Sequence, residues 1–249
     1  MPELYRSKLV ILIMQVQKII KWAGKWGLLN RTRTATILAV IMHGAGALGI
    51  LYGKRDWFLF LTPFNLLVMI LLLGWTLPEK NKRLYIFFAF ALLIGLSTEM
   101  IGVKTGLLFG HYRYGDTLGL RVMGVPVLIG INWFIVVYAC GMAVIQLKNF
   151  LHQQFQFQQR AFYSQWIGSS IIINGAVLAT LFDYIMEPAA VKLGFWTWNN
   201  GNVPMMNYFT WFLVSMVILF VFRNASLKNH PFAINLLIIQ AIFFLLLRY

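Results

Sequence analysis

Residues Asp183–Trp211 read DYIMEPAAVKLGFWTWNNGNVPMMNYFTW. Asp183 and Glu187 stand four apart at the end of an apolar run. That spacing puts both carboxylates on one face of a helix. Pro188, two Gly and three Trp follow, and a second apolar run begins at Pro204. Acids at the end of a membrane span are costly to bury and mark a functional site by default. The stretch therefore predicts the end of one spanning helix, an aromatic loop and the start of the next.

The rest of the composition agrees. The chain has 249 residues, 60% hydrophobic, 16% aromatic and only 11% charged. A soluble domain is roughly 25% charged. A soluble protein of this length could not hide so much apolar surface, so the fold class is all-α, a polytopic membrane helical bundle. The net charge of +14 lies in short segments between apolar runs. That is the positive-inside pattern, which points to membrane lipid as the surrounding partner and not to nucleic acid. The lone Cys140 leaves neither a disulfide nor a cysteine-based metal site.

Along the chain, Leu9–Ile20 is apolar but too short to span, and Lys18, Lys21 and Lys25 stand beside Trp22 and Trp26. It reads as an interfacial helix, with no small-residue cleavage site of a signal peptide after it. Residues 1–35 form a basic N-terminal interfacial segment and residues 36–249 one transmembrane helical domain. Seven runs are long enough to span: Thr36–Tyr52, Trp57–Leu77, Leu84–Val103, Val125–Leu147, Phe162–Ile185, Tyr208–Phe222 and Pro231–Leu247. With alternate crossings, fourteen Lys and Arg share the side of the N-terminus and seven lie on the other. The expected orientation is a cytoplasmic N-terminus and an outside C-terminus, in a bacterial inner membrane.

This orientation gathers polar groups in one leaflet. Glu99 lies about 22 Å along the third span at the helical rise. Asp183 and Glu187 end the fifth span at the same level. Asn132 and Trp133 open the fourth span, and Asn207 and Trp211 the sixth. The loop Gly110–Gly124 is on that side too.

Each candidate also has a plainer reading. Glu99 could pair with an Arg for folding alone, and Asp183 and Glu187 could be helix-end residues. His43 sits among small residues and reads as a buried structural hydrogen bond. His230 precedes Pro231 and reads as a helix cap, and Asp116 as a turn residue. Trp and Tyr at span ends are ordinary interfacial belts. Metal chemistry is not expected, because no HExxH, paired His or aspartate-rich motif is present. A retinal Schiff base would need a Lys in Pro231–Leu247, which has none.

Two segments resemble the carotenoid biosynthesis protein family, which contains the carotenoid 1,2-hydratases. One is EMIGVKTGLLFGHYRYGDTLGLRVMGVPVLIGINW, Glu99–Trp133. It is similar to the family's Glu, then G…TG…FG.Y.Y, then G…GVP and Trp. The other is Asp183–Trp211, with its Asp, acid-Pro, G-aromatic-W-x-W, Pro-x-x-Asn and final Trp. Two departures bear on substrate preference: a short link at Asn199–Val203, and Glu187 where Asp is common. The resemblance implies hydration of the terminal isopropylidene double bond of an acyclic carotenoid, without a redox cofactor. It also implies a lipid-soluble carotenoid as substrate and other enzymes of the carotenoid pathway as partners. The residues it singles out are Glu99, Asp183, Glu187 and His111 for catalysis. Tyr112, Tyr114, Trp133, Trp196, Trp198, Asn207 and Trp211 would bind substrate.

The residue types fit that chemistry independently. Water adds to a trisubstituted alkene only after a proton has, through a tertiary cation. The acid must hold its proton at working pH, which a carboxyl in hydrocarbon beside a second carboxylate is suited to do. A second carboxylate orients water and takes its proton, and aromatic faces stabilise the cation. Asn132 and Asn207 favour water delivery. Two other readings start from the same residues: a proton-initiated carotenoid cyclase, which must exclude water, and a non-catalytic carotenoid-binding or transport protein.

Overall fold

The computed structural model describes residues 30–155 and 160–248. The predicted interfacial helix lies outside the described residues. The described chain folds as α1 (Arg31–Tyr52), α2 (Arg55–Phe60), α3 (Thr62–Thr76), α4 (Lys82–Thr105), β1 (Tyr112–Tyr114), β2 (Arg121–Val122), β3 (Val125–Pro126), α5 (Leu128–Phe155), α6 (Arg160–Lys192), β4 (Trp196–Trp198), α7 (Met205–Asn224) and α8 (Pro231–Leu247). It is an all-α membrane bundle with a small strand region at one end. Five helices (α1, α4, α5, α6 and α7) are long and apolar enough to cross a membrane, and α3 and α8 are shorter apolar helices.

Two expected spans are redrawn. Trp57–Leu77 is not one helix, because α2 stops and α3 begins at Leu61. Pro63, in the first turn of α3, has no N–H to donate backwards and its ring excludes a preceding helical turn. The fifth span does not end at Ile185. Helix α6 continues through Pro188 to Lys192, so Asp183 and Glu187 lie inside a helix and not at its end.

Helix α5 is the axis of the bundle. Of its most apolar stretch, 72% is buried, against 28% for α1 and α4. It packs against α3, α4, α6, α7 and α8. Its side chains Trp133, Ile135, Val137, Cys140 and Met142 are inaccessible. Outward positions on the other helices are apolar and exposed, such as Ile41, Leu48 and Leu71, as a lipid-facing surface requires.

Helix α4 meets α5 along a stripe of small residues. Ala91, Gly95, Glu99 and Gly102 are buried at spacings of four, four and three, which is one helix face. Gly95 and Gly102 let neighbouring chains close in, and Glu99 lies between them. At the C-terminus of α4, Gly106 adopts φ 69° and its N–H bonds to Gly102 O at 2.8 Å. This left-handed cap turns the chain into the strand region.

Farther along α5, beside Tyr138, His230 is fully buried. It bonds the Thr76 hydroxyl through Nε2 and the Tyr138 hydroxyl through Nδ1, each at 2.9 Å. It is the N-cap residue of α8, as the sequence suggests, but its side chain makes no capping bond there. It ties α3, α5 and the start of α8 together instead.

Candidate active site

The site is roofed by a two-stranded ribbon. Tyr-Arg-Tyr of β1 pairs antiparallel with Trp-Thr-Trp of β4, with Tyr112 opposite Trp198 and Tyr114 opposite Trp196. Alternation sends one side chain in two to each face. The four rings are buried, whereas Arg113 and Thr197 are exposed and bond each other at 3.3 Å. Backbone bonds extend the pairing at both ends: Gly115 N–H to Phe195 O at 2.8 Å and Asn199 N–H to His111 O at 3.0 Å.

Beneath the ribbon lie three buried carboxyls: Glu99 from α4, and Asp183 and Glu187 from α6. Glu99 Oε1 accepts from Trp133 Nε1 at 2.9 Å, and Oε2 accepts from the hydroxyls of Tyr114 (2.7 Å) and Tyr112. Glu187 Oε2 accepts from both Trp196 and Trp198 Nε1 at 3.0 Å. Asn207 of α7 donates through Nδ2 to Asp183 Oδ2 at 2.7 Å, with a longer 3.5 Å contact to Glu187 Oε1. Asp183 Oδ1 is buried and has no hydrogen-bond partner among the described residues. Burial, and then the charge of Glu99, hold the phenols of Tyr112 and Tyr114 well above their ordinary value, so both remain hydrogen-bond donors.

Among the described residues, no Lys, Arg or His lines this chamber. Among the described residues the ion pairs are Arg121–Asp116 and Lys228–Glu79, both elsewhere. Three uncompensated buried carboxyls are expensive for a fold to keep, and their donors come only from aromatic and amide side chains. The chamber encloses about 30 Å³, enough for one or two waters. Trp133 and Trp211 stack beside it, centroids 3.8 Å apart and planes 15° from parallel.

Ile129, Asn132, Met186 and Trp196 line the chamber and also an adjoining apolar cleft of about 280 Å³. The cleft runs between α1, α2, α3 and α8 and is walled by residues such as Phe58, Leu66 and Phe243. A hydrophobic chain in the cleft would thus end against the acid chamber.

Eleven of the twelve sequence candidates line the chamber: Glu99, Asp183, Glu187, Tyr112, Tyr114, Asn132, Trp133, Trp196, Trp198, Asn207 and Trp211. His111 does not. It is exposed, and its ring packs over Gly106. The alternation that sends Tyr112 and Tyr114 inward sends their neighbour outward. Phe109, Ile129 and Met186 also line the chamber. As ordinary apolar residues in apolar segments, they carried no sequence signal.

Fold and site define an integral membrane protein with a carboxylic-acid chamber inside its helical bundle. A family model described as "Carotenoid biosynthesis protein" matches residues 59–248, and the chain belongs to that family. It is similar to the bisanhydrobacterioruberin hydratase of Haloarcula japonica, with 28% identity over 151 residues. That alignment covers 58% of this chain and 46% of the relative, so the chain spans about half the length of the curated relative it matches. No solved structure matches the chain.

Proposed function

We propose that this protein hydrates the terminal double bond of an acyclic carotenoid. The observation that carries the reading is the orphaned Asp183 Oδ1 in a water-sized chamber beside an apolar cleft. The named function of the Haloarcula relative supports the same reaction. In this reading Asp183 is the acid. Its Oδ2 is occupied by the Asn207 donor, so the proton sits on Oδ1. Transfer of that proton to the less substituted alkene carbon leaves a tertiary cation on the other. Glu99, held as an acceptor by three donors, supplies the opposing charge, and the Trp133–Trp211 pair supplies aromatic surface. Water in the chamber attacks the cation. Glu187 takes the water's proton at Oε1, whose contact to Asn207 is long. A proton passed back to Asp183 restores the site, so no redox cofactor is needed.

The test is product mass. Purified protein with lycopene is expected to give a product heavier by one water, carrying the heavy isotope when the reaction runs in oxygen-18 water. A cyclase would give a product of unchanged mass, and a binding or transport protein none.

We also infer that the N-terminus is cytoplasmic and the C-terminus outside, in a cytoplasmic membrane, because fourteen of the 21 Lys and Arg fall on the N-terminal side. A periplasmically active reporter fused after Tyr249 is expected to be active. An active cytoplasmic reporter there would reverse the assignment.

A further inference from the structure

The acid chamber and the apolar cleft meet at a threshold lined by Ile129, Asn132, Met186 and Trp196. Ile129 and Met186 are apolar, and Trp196 Nε1 is committed to Glu187 Oε2 at 3.0 Å. Asn132 is the exception. It is half-buried, and its side-chain amide makes no hydrogen bond to another described residue. An amide withdrawn from water is costly to leave unpaired, and each such group needs a cause. The other asparagine of the chamber differs: Asn207 is committed to Asp183 and Glu187. Glu99 accepts from three donors and Glu187 Oε2 from two. The positions left open are Asp183 Oδ1, the loosely held Glu187 Oε1 and the Asn132 amide. The two carboxyls can give and take protons. The amide does not titrate, but it carries both donors and an acceptor, which is what fixing a water needs.

We propose that Asn132 tethers the water that captures the cation, and so decides whether the protein hydrates its substrate or only isomerises it. The inference rests on the hydratase reading and adds a second activity held in check at the same site. Once Asp183 Oδ1 has given its proton to the alkene, the tertiary cation has two exits. In one, the water oxygen bonds to the cationic carbon while Glu187 Oε1 takes a proton from that water, and the end is hydrated. In the other, Glu187 Oε1 takes a proton from a methyl carbon beside the cation. The electron pair of that C–H bond becomes a new C=C bond, and the product is an isopropenyl end of unchanged mass. Either exit leaves Glu187 protonated and Asp183 charged, so the same return transfer resets the site. One base serves both exits, so the position of the water sets their ratio. The chamber encloses about 30 Å³, room for one or two waters, and an entering hydrocarbon end competes for that room. A water tethered at the threshold stays beside the entering carbon when looser water is displaced.

The test is a product ratio, which does not depend on how much protein folds. Purified protein acts on lycopene in deuterium oxide. Mass counts the hydrated product, proton NMR counts the terminal methylidene of the isopropenyl product, and carbon-bound deuterium in products and recovered polyene reports the cation. The native protein is expected to give mainly the hydrated product. Asn132→Leu keeps the branching of the side chain and removes its polar atoms. It should lower the ratio of hydrated to isopropenyl product roughly tenfold, the worth of about one net hydrogen bond, with deuterium still entering the polyene. Asn132→Ser is smaller but restores a hydroxyl, and should recover most of the ratio. An unchanged ratio in Asn132→Leu would overturn the inference. So would an equal fall in both variants, which would make shape the cause. Loss of deuterium uptake together with hydration, in a variant that melts like the native protein, would also overturn it, because Asn132 would then act before the cation forms. If the native protein adds no water, the hydratase reading falls and the inference with it. If the native protein adds water and Asn132→Leu keeps its ratio, the inference alone falls.

Discussion

Asp183→Asn is expected to reduce water addition by at least about 10²-fold, the low end of what a positioned acid contributes, with polyene binding and thermal stability close to native. The substitution keeps the shape and keeps a group for Asn207 to meet at Oδ2. It removes the one proton that can be aimed from Oδ1 into the chamber. Glu99→Gln is a different change. Trp133, Tyr112 and Tyr114 all donate to Glu99, and an amide NH₂ would face a donor on one side. Its rate should fall comparably, and its stability should fall too, because a buried donor is left without an acceptor. Rates come from the product-mass assay and stability from thermal unfolding in detergent. An Asp183→Asn protein with near-native rate at normal yield would remove Asp183 as the acid. Glu187 would then be the next candidate, being the other carboxyl with an oxygen not tightly engaged.

Much of this site was legible in the residues. Acids in apolar helices advertise themselves, and the i, i+4 spacing of Asp183 and Glu187 already put them on one face. The order of spans brought Glu99 towards them, because odd and even helices alternate direction. Other features depended on information that hydropathy does not carry. Apolar runs mark where hydrocarbon can be, not where hydrogen bonding stops, so the run Trp57–Leu77 hid the break at Leu61 and α6 outlasted its apolar part. The β1–β4 ribbon is too short for a strand signal on its own. Its Tyr-x-Tyr and Trp-x-Trp alternation gained meaning only when the two segments, more than eighty positions apart, were seen to pair. His111 misled because its neighbours matched a motif, while a period of two placed it on the opposite face. His43 read as a buried structural hydrogen bond and is one, to Ala39 O at 2.8 Å, whereas Asn65 and Gln240, lone polar residues in apolar helices, carried no sequence signal.

Gly95→Val is expected to damage the fold and the site together. A side-chain carbon at Gly95 would lie 2.6 Å from both Cβ and Cγ of Trp133. Those atoms are the root of a fully buried side chain, not the free end of a flexible one, so the clash can be relieved only by moving α4 away from α5. Overpacking of this kind costs about 1–3 kcal/mol and occasionally more. Replacing a helical Gly recovers at most about 1 kcal/mol of propensity, so the clash wins. The consequence reaches the chamber, because Glu99 is one turn further along α4 and its bond to Trp133 Nε1 spans the same interface at 2.9 Å. The variant should therefore unfold at a lower temperature and lose activity together. Gly74→Ala is the control, since nothing lies within 4 Å of a side-chain carbon at Gly74 in α3. It should leave stability unchanged or slightly raised. Thermal unfolding of the three proteins in one detergent compares them directly. A Gly95→Val protein that melts with the native one would mean that the close approach of α4 to α5 does not hold Glu99 in place.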